Sequence, residues 1–185
     1  MRRGIAVSAV LMVCVLGACG DSGSSGSDGG AGDAKSGTTS KPKDVKVMDV
    51  CGTISAGEVG TVLGATVTSK VGPFDACEYS QEDARATSAA IDAQSLADLG
   101  GGYEAYKSGT SATLTGGDTV DLDGVGDKAF IVTGSLGGGS NTQLQGAVVI
   151  GGQLVSVNLT QASGVEASVL VDQATQLLKL VAAKA

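Results

Sequence analysis

The chain has 185 residues, of which 42% are apolar and 17% charged, so it can bury the core of one ordinary domain. Its formal charge is −7, with 12 Lys and Arg against 19 Asp and Glu, and it contains three Tyr, two Phe and no Trp. An acidic surface with few aromatic rings makes nucleic acid a poor partner. It also repels anionic lipid headgroups, so charge alone would not hold the protein at a membrane.

The N-terminus has the organisation of an export signal. Two arginines, Arg2 and Arg3, precede an apolar stretch from Gly4 to Leu16, which is too short to span a bilayer. The tetrapeptide LGAC, which ends at Cys19, then resembles the lipobox of a bacterial lipoprotein signal peptide. This resemblance implies a signal peptide over residues 1–18, cleavage after it and diacylglyceryl transfer to the Cys19 sulfur. The alternative is a plain secretory leader with an incidental cysteine.

Low-complexity sequence follows this cysteine. Between Gly20 and Ser40, 13 of 21 residues are Gly or Ser, a composition that buries too little apolar surface to offset the chain entropy lost on folding. We therefore expect a lipidated, flexible tether over residues 19–46. As a Gly-rich coil of about 25 residues it would reach roughly 25 to 30 Å. Residues 47–185 remain for a single extracytoplasmic domain.

Two further cysteines, Cys51 and Cys77, lie in this domain. Because export places an even pair of thiols in an oxidising compartment, we predict that they form a disulfide. A zinc site and a catalytic thiol are the alternatives, but the chain has no histidine to supply the usual zinc ligand or catalytic base. We therefore expect neither a metal ion nor a cofactor.

The first part of the domain predicts one short helix followed by strands. Ser55 and Glu58 form an S-x-x-E capping box that opens the helix, and Gly64 is placed to end it. Residues 65–93 are rich in β-branched residues on both sides of the Gly72-Pro73 turn. This pattern predicts two or three strands.

A second helical stretch and four more strands are expected next. Ser95 is a candidate cap for a helix that runs to Tyr106, interrupted by the three glycines of residues 100–102. Gly151-Gly152 has the length and composition of a hairpin loop, so the strands on either side of it are antiparallel. The four strand segments are DTVDLDG, DKAFIVTG, TQLQGAVVI and QLVSVNLTQ.

The chain ends in a long amphipathic pattern. Ser163 and Glu166 match a second capping box. The apolar residues that recur at helical spacing after it are Leu170, Ala174, Leu177 and Val181. Because helices and antiparallel strands are segregated along the chain, the expected class is α+β, with an antiparallel sheet packed against a long C-terminal helix and a short N-terminal helix.

One acidic segment invites a calcium interpretation. The segment DTVDLDGVGDKAF contains Asp118, Asp121, Asp123 and Asp127. An EF-hand calcium loop needs glycine at position 6 and acidic ligands at positions 1 and 12. With Gly124 at position 6, Thr119 falls at position 1 and Phe130 at position 12, so the segment does not match the motif. We interpret the segment as a strand with Asp121 and Asp123 on its solvent side, followed by a glycine turn.

The order of these motifs is similar to a known family. The segments DVCGTISAGEVGTVLG, ACEYS and LDGVGDKAF, followed by the terminal helix, resemble the small secreted lipoproteins of actinobacteria, a domain family of unknown function. The resemblance covers about Asp49 to Ala185, and it departs at Tyr79, where the family often has Trp. It implies a Cys51–Cys77 disulfide and an α+β domain outside the membrane. It brings no established activity and no catalytic residues.

These features together predict a function class without a ligand. We expect a non-enzymatic binding or interaction module, held by lipid on Cys19 at the extracytoplasmic face of the cell membrane, with an unknown protein or small-molecule partner. One alternative is a carrier of an apolar small molecule, which would need a cavity between sheet and helix. Another is a carboxylate-based hydrolase of the cell envelope, which would need two close carboxylates in a cleft.

Overall fold

A computed structural model describes residues 45–185 of the chain. The predicted signal peptide over residues 1–18, Cys19 and all but the last two residues of the predicted tether lie outside the described residues. Within residues 45–185, every helix falls short of the length and apolar content that a membrane crossing requires.

Residues 45–185 form helices and strands in the segregated order expected for an α+β domain. The helices are α1 (Val50–Thr53), α2 (Ala56–Leu63), α3 (Gly102–Thr113) and α4 (Ala167–Lys184). The strands are β1 (Thr68–Val71), β2 (Cys77–Ser80), β3 (Ser88–Ser95), β4 (Leu114–Thr115), β5 (Thr119–Asp121), β6 (Lys128–Leu136), β7 (Gln143–Ile150) and β8 (Gln153–Thr160). Single 3-10 turns occupy Pro73–Asp75 and Leu96–Asp98.

The strands join into one eight-stranded antiparallel sheet. Its order is β1-β2-β3-β8-β7-β6, and both β4 and β5 pair with the outer edge of β6. Three strands begin between residues 65 and 93, where two or three were predicted, and the third extends to Ser95. Gly151 and Gly152 have φ of 57° and 87° and join β7 to β8, which confirms the hairpin because a two-residue loop of this kind needs positive φ at both positions.

The long helix α4 covers the first face of the sheet. It packs on β6, β7 and β8, with α2 beside it. The apolar positions predicted from helical spacing are buried without exception: Leu170, Ala174, Leu177 and Val181. Gly146 lies under the helix, where a Cβ atom would come within 3.2 Å of Leu178 Cδ1 and 3.0 Å of the Phe130 carbonyl oxygen. A glycine at this position therefore lets α4 approach the sheet closely.

The capping box of α2 is confirmed. Ser55 Oγ accepts a hydrogen bond from the Glu58 backbone N–H at 3.3 Å, and the Glu58 carboxylate accepts one from the Ser55 backbone N–H at 3.0 Å. Gly64 ends the helix in the left-handed conformation, with φ of 69°.

The helix predicted from Ser95 to Tyr106 is wrong at both boundaries. Ser95 makes no capping hydrogen bond, because it is still paired with Gln153 as the last residue of β3. The chain reverses at Gly101, whose φ is 82°, and α3 then runs from Gly102 to Thr113. The predicted interruption at the glycines is confirmed, because residues 99–101 separate the 3-10 turn at Leu96–Asp98 from α3.

The second capping box is also wrong. The N-cap of α4 is Glu166, which makes no side-chain capping bond. Ser163 instead donates to the Gln161 side-chain oxygen at 3.2 Å. The same oxygen accepts the backbone N–H of Gly164 at 2.7 Å and of Val165 at 2.9 Å. Gln161 thus organises the loop that leads into α4, and the serine is not available as a cap.

One ion pair links the short and long helices. Lys184 Nζ lies 2.7 Å from Glu58 Oε1. Hydrogen bonds from Lys184 and then from Ser55 lower the pKa of Glu58 from 4.5 to about 2. The pKa of Glu58 is lower in the folded state than in the unfolded state. The ionised carboxylate therefore stabilises the fold at pH values above its unfolded pKa, and this stabilisation is lost as the pH falls through its folded pKa.

This ion pair predicts a pH-dependent effect of Glu58→Gln. The substitution should lower the free energy of unfolding at pH 7, and the difference from wild type should shrink between pH 4.5 and about 2 as the wild-type carboxyl protonates. Urea unfolding over a pH series measures it. The control Glu82→Gln changes an exposed carboxylate in the loop after β2 and should leave the pH profile unaltered. A difference that stays constant down to pH 2 would contradict the assignment.

Candidate functional site

The disulfide marks one end of the sheet. Cys51 of α1 and Cys77 of β2 are bonded, with their Cα atoms 5.2 Å apart, which confirms the predicted pair. The buried Tyr79 hydroxyl donates to the Ile54 carbonyl oxygen at 2.8 Å, so β2 and the α1–α2 segment are joined twice. Burial, and to a smaller extent the Glu58 carboxylate, raises the pKa of Tyr79 to about 12, which keeps this donor protonated.

A turn with unusual backbone geometry lies just before Cys77. Phe74 and Asp75 both have positive φ, 58° and 61°. The Ala76 N–H donates to the Pro73 carbonyl oxygen at 3.2 Å and closes the turn around these two residues. Glycine and asparagine are the usual occupants of such positions, and an L-residue in the left-handed region costs about 1 to 2 kcal/mol. The fold therefore holds Phe74 in a strained conformation.

The turn presents an exposed apolar cluster, which we call the disulfide-end patch and define as Val47, Val71 and Phe74. Their exposed fractions are 37%, 65% and 95%. All three line one groove of about 380 Å³ that runs past Cys51. Proline and the turn hydrogen bond restrain the backbone of this turn, from which the Phe74 side chain projects into solvent.

The second face of the sheet is only partly covered. Tyr103 and Tyr106 of α3 pack edge-on against Phe130, at centroid distances of 5.6 and 6.2 Å. This helix covers β4, β6 and β7. On β2, β3, the C-terminal half of β8 and the start of β7, half-exposed residues alternate with buried ones. We call this surface the open face: Glu78, Ser80, Ser88, Ala90, Gln145 and Asn158.

Strand register aligns the open face into a row. Glu78 pairs with Ala90, Ala90 with Asn158, and Asn158 with Gln145. A shallow cavity of about 250 Å³ lies along it. At its edge Lys70 Nζ lies 2.9 Å from the Glu78 carboxylate, which neutralises that charge. Beyond Ala90, the row offers the amide groups of Asn158 and Gln145 at the strand spacing of about 4.8 Å.

A polar cluster lies where the open face meets α3. Asp92 pairs directly with Ser156 across β3 and β8. Burial raises the pKa of Asp92, partly offset by a backbone hydrogen bond from Ala93. Burial also raises the pKa of Tyr106, and the Ser156 side chain partly offsets this rise. The Tyr106 hydroxyl therefore stays protonated at neutral pH and closes this border of the open face.

The acidic segment forms a cleft at the other side of α3. Asp118, Asp121, Asp123 and Asp127 are all exposed, and β5 ends at Asp121, so Asp123 lies in the glycine turn and not on the strand as predicted. The cleft, of about 350 Å³, contains the ion pair of Lys107 with Asp121. Within residues 45–185, no group of three or more His, Cys, Asp or Glu residues is placed to hold a metal ion.

The interior on both faces of the sheet is filled with side chains. The larger cluster, under α4, contains fully buried residues such as Ile91, Leu144 and Leu177. The smaller cluster, under α3, is built around Phe130 and Leu154. An apolar ligand would have to displace these side chains to enter.

Sequence reasoning identified the disulfide but neither of the two exposed surfaces. The sequence locates the Gly72-Pro73 turn, but it does not indicate that Phe74 points into solvent. The alternation of polar and apolar residues along β8, with Ser156 and Asn158 between valines and leucines, could have predicted that one face of this strand is polar.

Comparisons of the chain with protein-family models, with curated proteins and with solved structures find no match. The resemblance to actinobacterial lipoproteins therefore stays a prediction. Cys19, the predicted lipidation site, lies outside the described residues.

The strained turn predicts that Phe74→Gly stabilises the domain. Glycine adopts positive φ without the Cβ clash, so the free energy of unfolding should rise by about 1 kcal/mol relative to Phe74→Ala, which keeps the clash. Urea unfolding of the two variants measures the difference. Equal stabilities would mean that the backbone at this position relaxes without strain.

Proposed function

We propose that the protein is a lipid-anchored, non-enzymatic binding module on the extracytoplasmic face of the cell membrane, with its lipid on Cys19. Its partner, a protein or a small molecule, binds the open face. The observation that carries this proposal is the incomplete cover of the sheet, because α4 covers the first face while α3 leaves half of the second without a helix.

The chemistry of the open face supports recognition of a polar partner. Ser80, Ser88 and Asn158 are half-exposed, and each has a side chain that can donate and accept hydrogen bonds. They stand on paired strands, so their positions are set by the sheet and little entropy is lost on binding. The Lys70–Glu78 pair leaves the face near neutral although the chain as a whole is acidic.

The anchor is supported by the arrangement of the sequence. The LGAC tetrapeptide follows an export-type leader and precedes a Gly/Ser-rich stretch that ends where the described domain begins. Two acyl chains on one residue give durable attachment, since each buried methylene contributes about 0.8 kcal/mol. A charge-based attachment would be opposed by the net charge of −7.

The anchor is tested by comparing Cys19→Ser with Cys14→Ser in a bacterial host that processes lipoproteins. Cys14 lies in the apolar stretch that cleavage removes, so its variant should behave like wild type. We expect wild type and Cys14→Ser to partition into detergent with a diacylglyceryl mass, and Cys19→Ser to stay in the aqueous phase. A Cys19→Ser chain found in the detergent phase would contradict the lipid assignment.

The open face is tested by placing a photo-crosslinking amino acid at Ala90 in the full chain on intact cells. The control is the same probe at Val169, an exposed apolar residue near the start of α4. We expect a discrete adduct from Ala90 that is absent from Val169. Identical products from both positions, or none from Ala90, would argue against the open face as the binding surface.

A further inference from the structure

We propose that the disulfide-end patch rests on the lipid bilayer that holds the anchor, with the Phe74 ring inserted among the headgroups. This inference rests on the proposed lipid at Cys19. The contact is a second, weaker attachment that orients the domain, and it is separate from the partner that the open face binds.

The patch concentrates apolar exposure at one end of the domain. Among residues 45–185, the large apolar residues with exposed side chains are Val47, Val71, Phe74, Val120, Leu136 and Val169. The first three line one groove. Phe74 also has a strained backbone. Strained backbone and exposed apolar patches are both typical of sites that contact a ligand, a partner or a membrane.

The polypeptide enters the domain at this same end. Met48 N–H donates to the Gln153 side chain at 2.9 Å, at the first residue of β8. Val45 lies against the β7–β8 hairpin, since a Cβ atom on Gly152 would be 3.1 Å from Val45 Cγ2. Cys77 is level with Val157 in the middle of β8, and the turn at Phe74 extends from there toward this end, where Phe74 lines the same groove as Val47 and Met48. An anchor on the preceding chain is therefore connected to the domain at the end that carries the patch.

The length of the preceding chain makes the contact accessible. The segment from Gly20 to Asp44 separates the anchor from the first described residue. The Gly/Ser-rich composition of this segment predicts an r.m.s. reach of roughly 25 to 30 Å, enough for the domain to contact the bilayer surface. Because the domain is tethered, its effective concentration at the bilayer is high and a small apolar contact suffices.

Charges around the patch favour an uncharged lipid surface. Lys46 and Lys70 lie near it in the chain, and the Asp49 carboxylate is engaged as the cap of α1, accepting the Gly52 N–H at 3.0 Å. Asp75 remains exposed beside Phe74. With acidic residues in excess over the whole chain, insertion is driven by apolar burial, and zwitterionic lipid is the appropriate probe.

The experiment uses the full lipidated chain reconstituted into phosphatidylcholine vesicles. The natural chain has no Trp, so Phe74→Trp introduces a single reporter. Leu136→Trp is the matched control, because Leu136 is also exposed, at 54%. Lys128 begins β6 at the end of the sheet where the chain enters, and Leu136 lies eight residues further along the strand, about 26 Å from Lys128. Vesicle flotation is recorded for both variants.

On vesicles, we expect the fluorescence emission of the Phe74→Trp reporter to shift to shorter wavelength and its quenching by acrylamide to fall several-fold. We also expect lipid with brominated acyl chains to quench this reporter. The Leu136→Trp reporter should remain exposed to solvent in all three measurements. A chain that floats with vesicles but whose position-74 reporter remains as exposed as the control overturns the bilayer contact and leaves the anchor standing. Shielding from acrylamide without quenching by brominated lipid also overturns it, because protein then covers the patch. A chain that does not float overturns the anchor and, with it, this inference.

Discussion

The packing of α4 against the first face of the sheet is the contact on which the other features depend. Leu170, Leu177 and Leu178 are fully buried against the central strands, and Gly146 removes the side chain that would keep the helix away. Burial of this aliphatic surface is the main favourable contribution to folding for a chain with so few aromatic residues. Once that face is closed, everything exposed on the sheet belongs to the second face or to the ends.

The asymmetry of the two faces places the proposed binding surface. α3 is short and its two tyrosines pack on Phe130, so it covers one side of the second face only. The Asp92, Tyr106 and Ser156 cluster forms the border, and polar residues continue beyond it. A rigid, partly polar sheet surface beside a helix is a suitable platform for a partner that is recognised by hydrogen bonds.

The disulfide end combines stiffness with exposure. The Cys51–Cys77 bond and the Tyr79 hydrogen bond join β2 to the α1–α2 segment, and the strained turn projects Phe74 from this base. A ring on a flexible loop would lose more backbone entropy on contact than one carried by a backbone that the fold already restrains. The domain therefore has two separate exposed surfaces, one polar on the sheet and one apolar at the end where the chain enters.

Sequence patterns were enough for the features that depend on neighbours along the chain. These are the capping box at Ser55, the helix end at Gly64, the Gly151-Gly152 hairpin and the buried positions of α4. It also identified the cysteine pair, because only two thiols remain in the domain after the predicted leader is removed. It failed at Ser95 and Ser163, where a strand partner or Gln161 competes for a residue that looks like a cap.

Tertiary packing sets which polar and apolar residues of the sheet and its turns stay exposed. The exposure of Phe74 and the openness of the sheet beside α3 depend on where distant elements pack, and short-range sequence patterns carry no record of those long-range contacts.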